Sequence, residues 1–203
     1  MTKITVFGDS IAYGAWDSQG GWVDRLKREL DSRKQVKKMP RQFHLTYNFS
    51  ISGATTKDLL KRCEIECAAS RPDIIIFSIG GNDALYVKQL NGVLVKPEEV
   101  RKNVSELVKI AQNYTKKIIF LGLKRVDESA TNPLIWDPNQ SMQNKYLEAN
   151  DEIIKKICLD EKVRYVSMDG LLKSADFEDG LHPNTQGHEK IYEKVLSEVE
   201  KLL

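Results

Sequence analysis

Short β-branched stretches recur along the chain with amphipathic segments between them. Residues 4–7, 43–49, 73–79, 117–123 and 163–168 each read as a strand. The third and fourth are near-continuous apolar runs, the pattern of central strands in a parallel sheet covered by helices on both faces. The segments between them carry helical periodicity. Trp22, Leu26 and Leu30 form the first stripe; Leu59, Leu60, Cys63 and Cys67 the second; Val100, Val104, Leu107, Val108 and Ala111 the third, after Pro97. Met142, Tyr146, Ala149, Ile153 and Ile157 make the fourth, after Pro138, and Ile191, Val195, Val199 and Leu202 close the chain. Both prolines stand where a helix can begin, because the first turn has no use for the missing N–H. Five strands alternating with five helices predict an α/β fold: three α/β/α layers around a five-stranded parallel sheet, with right-handed crossovers. No linker, repeat or low-complexity stretch divides residues 1–203, so a single domain is expected.

Composition narrows the function classes. With 41% hydrophobic and 30% charged residues, and only 12 Gly and 6 Pro, the chain can build a sizeable core and is not of disordered composition. The 31 basic and 29 acidic residues nearly cancel to +2, which gives no global attraction to nucleic acid or to an anionic membrane. The apolar runs, such as 74–77, fall far short of the roughly 20 residues that span a bilayer, and the N-terminal segment is too short for a signal-peptide core. Cys63, Cys67 and Cys158 have neither zinc-ligand spacing nor the even number of a disulfide framework. A cytoplasmic protein is expected. Two segments depart from the βα rhythm. The basic run 33–41 reads as a solvated helix end. The excursion 124–138, with Asn132-Pro133 and Trp136, leaves the carboxyl end of a strand, where open α/β sheets bind ligands, so it is expected to face substrate.

The polar residues that carry chemistry cluster at strand ends. Ser10, in Gly8-Asp9-Ser10, follows the first strand directly; a serine there is by default a helix N-cap. Gly53 follows the second strand, where a helix is expected to start at Thr55 or Thr56. Gly80-Gly81-Asn82-Asp83 follows the third. After the last strand comes Asp179-Gly180-Leu181-His182, which sets an aspartate within reach of a histidine ring nitrogen. An aspartate there can fix the imidazole tautomer while the other nitrogen takes a proton from a serine, and a glycine N–H with an amide side chain can receive a developing oxyanion. Of the three histidines, His44 falls in the second strand and His188 in the final helix, which leaves His182 best placed as a general base. Each block alone reads more simply as a cap or turn; four of them, after strands one, two, three and five, point to acyl transfer.

Gly8-Asp9-Ser10-Ile11, Gly53 within Ser-Ile-Ser-Gly-Ala-Thr, Gly80-Gly81-Asn82-Asp83 and Asp179-Gly180-Leu181-His182-Pro183 resemble, in order, the four blocks of the SGNH hydrolases, or GDSL lipase/esterase family. Ile11 stands where the family pattern has leucine. The resemblance implies a flavodoxin-like fold and a serine esterase acting through an acyl-enzyme on Ser10, with His182 as base and Asp179 orienting it. It also implies an oxyanion hole of the Ser10 and Gly53 N–H groups and the Asn82 amide, and no metal or cofactor. Asp9 and Asp83 read equally as caps or as hydrogen-bond partners that hold the loops.

The expected substrate is a small-molecule ester with a short acyl group, since 203 residues leave no room for a lid domain. Thioesters, lysophospholipids and acetylated carbohydrates are alternatives that the same triad serves. Tyr13, Trp16, Tyr86 and Trp136 are candidate pocket walls; Trp22 fits the core at least as well. No G-x-S-x-G elbow, G-x-G-x-x-G or G-x-x-x-x-G-K-[ST] occurs. The rival from another class is a non-catalytic flavodoxin-like module that binds a small ligand.

Overall fold

The computed structural model describes residues 1–33 and 44–203. The basic run after Arg33, and Phe43 at the start of the second expected strand, lie outside the described residues.

Five parallel strands form the central sheet: β1 (Thr2–Gly8), β2 (His44–Asn48), β3 (Ile74–Ser78), β6 (Ile118–Leu121) and β8 (Arg164–Val166), in the order β2-β1-β3-β6-β8. Among the main strands alone this is the flavodoxin-like order, with the reversal of winding at β1 and β3. The period of two along β3 sorts its side chains. Ile74 and Ile76 enter one core with Ile4, Val6, Trp22, Leu26, Leu30, Val195 and Val199, under helices α2 (Gly21–Ser32) and α8 (Thr185–Glu200). Ile75 and Phe77 enter the other with Leu59, Cys63, Cys67, Val104, Leu107 and Ile154, under α3 (Thr56–Leu60), α4 (Cys63–Ser70), α5 (Pro97–Gln112) and α7 (Asn144–Asp160). Across three neighbouring strands Phe7, Phe77 and Phe120 pack ring to ring, with centroids 5.6 and 5.3 Å apart. The three-layer α/β/α expectation therefore holds. Among the described residues no helix is long and apolar enough to cross a membrane.

The structure corrects the expectation in three places. The fourth helix, α7, starts at Asn144 rather than after Pro138, so Met142 precedes it, and Leu147 and Asn150 rather than Ala149 lie on its buried face. The second helix is two helices, broken at Lys61 and Arg62. Arg62 leaves helical geometry at φ −125°, and its guanidinium donates both to the Phe49 carbonyl (2.7 Å) and to Glu66 (2.6 Å), which ties the break to the end of β2. Cys63 and Cys67 remain fully buried, and the hydrogen bond to Cys67, together with burial, pushes the Cys63 thiol far up. Cys158 is buried as well, its thiol pushed up to about 12 by burial, so these cysteines pack as small apolar groups. A second, antiparallel sheet of two-residue strands also appears: β4 (Tyr86–Val87), β5 (Gly92–Val93) and β7 (Gln140–Ser141). It joins the far end of the 124–138 excursion to the segment after β3, over a small core of Ala84, Val126, Leu134, Met142 and Leu147.

Phe77 is fully buried at the centre of the aromatic row, whereas Leu159 on α7 is 78% exposed. Phe77→Ala is expected to cost about 3–5 kcal/mol in urea denaturation, from lost burial plus the cavity left behind. Leu159→Ala should change stability by no more than about 0.5 kcal/mol. Equal losses at the two positions would contradict this assignment of the core.

Candidate active site

Ser10 is the first residue of a one-turn helix, α1 (Ser10–Tyr13), that leaves the end of β1. The default N-cap reading of Ser10 does not hold, because Asp9 is the N-cap. Its carboxylate accepts from Ile11 N–H at 3.0 Å, and the Ser10 hydroxyl is left for another partner. That partner is His182: Ser10 Oγ lies 3.0 Å from Nε2, and both residues are buried. Nδ1 on the far side of the ring lies 2.7 Å from Asp179 Oδ2. The other oxygen, Oδ1, accepts from the backbone N–H of Leu181 (3.0 Å) and of His182 (2.7 Å). Burial opposes ionisation of Asp179, but the His182 ring and these two N–H groups more than offset it and hold the pKa down at about 2. An ionised carboxylate needs a donor on Nδ1, so the ring carries its proton there, and Nε2 faces the serine as an acceptor. His188, buried beneath the turn after α1, is pushed down to about 4 by burial and stays neutral.

The His182 turn is held from below. Gly180 has φ +83°, and a Cβ there would sit 2.6 Å from the Ala130 Cβ, so glycine is required by both backbone and space. Asp127 N–H donates to the Gly180 carbonyl (2.9 Å), and the Lys124 ammonium donates to the Leu181 carbonyl (2.6 Å). Lys124 is half-buried; burial lowers its pKa to about 8, against the pull of Asp9 and Asp179. Asp9 moves the other way, up to about 6, chiefly by burial, with the Ile11 N–H and the Lys124 charge opposing. The near end of the 124–138 excursion thus braces the His182 turn, a role that nothing in its composition signals.

A second brace joins the loops after β2 and β3. Asp83 is fully buried and accepts from the Thr56 N–H and hydroxyl. Asn103 on α5 donates to the same hydroxyl at 3.0 Å. This is the loop-holding role, not a cap. The Asn82 amide donates to the Ala54 carbonyl (3.0 Å), next to Gly53, which turns with φ +78°. One of the two amide N–H groups is thereby used, and the other remains for a ligand. Ser10 and Asn82 line a cavity of about 60 Å³ with Leu121, Leu123, Met168 and Leu171.

Of the four candidate aromatic walls, the structure brings two to the site. Trp16 Nε1 lies 2.9 Å from His182 Nδ1 with the rings edge to face, and the Trp136 ring centroid is 6.0 Å from that of His182. Tyr13 is exposed at the end of α1. Tyr86 lies in the small sheet, stacked on Tyr146 at 6.0 Å. Trp22 is fully buried in the core, as its stripe suggested, and also borders the cavity.

A profile of the GDSL-like lipase/acylhydrolase family matches residues 6–190. The chain is 24% identical to the esterase TesA of Pseudomonas aeruginosa, over 98% of this chain and 89% of that protein. In structure it is similar to a lipase/acylhydrolase from Enterococcus faecalis, with a TM-score of 0.78 at 21% identity over 99% and 96% of the two chains. It is also similar to an acetylxylan esterase from Geobacillus stearothermophilus, with a TM-score of 0.74 at 20% identity over 98% and 94%. At these identities the structural likeness speaks for the fold.

The turn that carries Trp16 is anchored by a buried ion pair. Asp17 bonds the Arg25 guanidinium, the Thr185 hydroxyl (2.9 Å) and the Gly21 N–H (3.0 Å). Burial opposes the Asp17 charge, yet these partners hold its carboxyl well below the ordinary 3.8. Asp17→Asn leaves Arg25 short of its buried counter-charge and is expected to cost about 3 kcal/mol at pH 7 in urea denaturation. The native pKa is the depressed one, so the stabilisation is present above 3.8 and is lost as pH falls through the native value. The gap between wild type and variant should therefore stay constant from pH 7 to 5 and narrow below 3.8; a gap that widened on acidification would contradict the assignment.

Proposed function

Since the chain belongs to the GDSL-like lipase/acylhydrolase family, and its chemistry is the hydrolysis of esters, we propose that Ser10, His182 and Asp179 are its catalytic triad. The observation that carries this is the continuous relay in which Ser10 Oγ lies 3.0 Å from His182 Nε2 and Nδ1 lies 2.7 Å from an ionised Asp179. Ser10 Oγ attacks the ester carbonyl and its proton passes to Nε2. The resulting imidazolium is stabilised by Asp179, which holds the ring and keeps its own charge. The negative oxygen of the tetrahedral intermediate is received by the backbone N–H groups of Ser10 and Gly53 and by the free N–H of the Asn82 amide. Nε2 returns the proton to the departing alcohol, leaving an acyl group on Ser10. Water then gives a proton to Nε2, attacks the acyl carbonyl, and the acid leaves as the serine is reprotonated. Every proton moved is carried by His182, and no step calls on a metal or cofactor.

The substrate is a small-molecule ester with a short acyl group. The small, mostly apolar cavity beside Ser10 supports this. Residues 1–203 act as one domain of this family. The protein works in the cytoplasm and on no nucleic acid, a reading supported by three free, buried cysteines and a net charge of +2.

Hydrolysis of p-nitrophenyl acetate tests the triad. Ser10→Ala and His182→Ala are each expected to lower kcat by about a thousandfold or more. Butyrate should be cleaved faster than the octanoate ester. A Ser10→Ala variant that kept the wild-type rate would move the chemistry elsewhere, and a wild type with no activity on any ester of the series would favour the non-catalytic ligand binder.

A further inference from the structure

Two groups converge on one ring nitrogen of His182. Asp179 Oδ2 stands 2.7 Å from Nδ1 and Trp16 Nε1 stands 2.9 Å from the same atom. A ring nitrogen has one in-plane site: it either donates a proton or accepts one. With Asp179 ionised and its other oxygen already bonded to two backbone N–H groups, Nδ1 must donate to the carboxylate. In that tautomer Nδ1 offers Trp16 no lone pair. Among the described residues Nδ1 is the only acceptor that Trp16 Nε1 reaches, so in the tautomer that works the indole N–H has no protein partner.

The backbone that carries the indole is nevertheless held in place. Trp16 occupies the left-handed region at φ +67°, which costs free energy for a residue with a Cβ, in a turn closed by Ala15 N–H to Ser10 O (2.9 Å) and Asp17 N–H to Gly14 O (3.3 Å). The next residue is Asp17, with its buried pair to Arg25. The side chain is 66% exposed, and Trp136, 51% exposed, also faces His182. An N–H at the rim of a reacting centre that has no protein acceptor can donate to water or to a bound ligand.

The position of the ligand follows from the reaction. His182 returns the proton to the leaving oxygen from Nε2, so the alcohol portion of the ester lies at that edge of the imidazole and can extend across the ring toward Trp16, which borders it at Nδ1. We propose that Trp16 is a specificity-determining residue whose indole N–H donates to a second oxygen, a hydroxyl or ether, on the alcohol portion of the substrate. The preferred substrates are then esters of alcohols that carry a neighbouring oxygen, such as polyols, over plain alkyl esters. The proposal rests on the Ser10–His182–Asp179 reading and goes beyond it by naming the alcohol side of the substrate.

A matched pair of substrates isolates this bond. 2-Methoxyethyl acetate and n-butyl acetate have nearly the same shape and differ by one ether oxygen in place of a methylene. The quantity to read is the ratio of kcat/KM for the two esters in wild type, divided by the same ratio in Trp16→Phe, which keeps an aromatic ring and loses the N–H. The division cancels the difference in intrinsic reactivity of the two esters. One neutral hydrogen bond predicts a quotient of about five in favour of the ether, with most of the loss in Trp16→Phe appearing in KM for the ether ester. A quotient of one, with Trp16→Phe melting at the wild-type temperature, overturns the role of Trp16. If the variant does not fold, the wild type alone decides, since a wild-type preference no greater than that of alkaline hydrolysis also overturns it. Ser10→Ala is run alongside: if it cleaves butyl acetate at the wild-type rate, the triad reading fails and this proposal with it, an outcome distinct from a quotient of one.

Discussion

The hydrogen bond between Ser10 Oγ and His182 Nε2 joins residues 172 positions apart in sequence, and the rest of the architecture can be understood as what makes that contact possible. A parallel sheet delivers all its strands to the same edge with the same polarity, so the residues after β1, β2, β3 and β8 meet although they are remote in sequence. Convergence alone does not free the serine. At the end of β1 the orphan N–H groups of α1 compete for its hydroxyl, and the preceding Asp9 resolves the competition by capping the helix itself. A chain with a non-capping residue at position 9 would leave Ser10 Oγ facing a backbone demand that the hydrogen bond to His182 must outbid.

The electrostatics of the strand-end region are arranged around one carboxylate. Asp179 is kept charged by donors from its own turn, which fixes the imidazole tautomer and so decides which ring nitrogen faces the serine. The other titratable groups nearby are shifted by burial toward their neutral forms: Asp9 up to about 6, Lys124 down to about 8 and His188 down to about 4. Each is engaged by or packed beneath a loop of the site. Lys124 is the clearest case, with its ammonium on the carbonyl of Leu181, next to the histidine.

Much of this was legible in the linear pattern, for identifiable reasons. The apolar runs of β3 and β6 and the stripes on α2 and α5 are local periodicities set by burial, and they survive folding, whereas α7 buries Leu147 and Asn150 where the stripe had Ala149. Gly8-Asp9-Ser10 and Asp179-Gly180-Leu181-His182 could be placed at the carboxyl edge because each follows a strand directly, and the structure brings Ser10, His182 and Asp179 into contact. What escaped were features fixed by distant partners. The break between α3 and α4 depends on Arg62 finding the Phe49 carbonyl, and the small sheet joins strands of two residues, too short to show any period. Asp83 could be a cap or a brace until Thr56 was seen on it, and Tyr13 and Tyr86 look in sequence as well placed as Trp16 and Trp136, though only the tryptophans reach His182.

The central claim is that Ser10 is a nucleophile activated by His182. A p-nitrophenyl alkylphosphonate probes it without reference to any natural substrate, because attack by the serine releases nitrophenol and leaves a stable phosphonyl ester on the attacking oxygen. Mass spectrometry of the intact protein and its peptides should find one added phosphonyl group, on the peptide containing Ser10. It should be absent from Ser10→Ala and form about a thousandfold more slowly in His182→Ala. Labelling of any other residue at the wild-type rate, or labelling of Ser10 at a rate indifferent to His182, would contradict it.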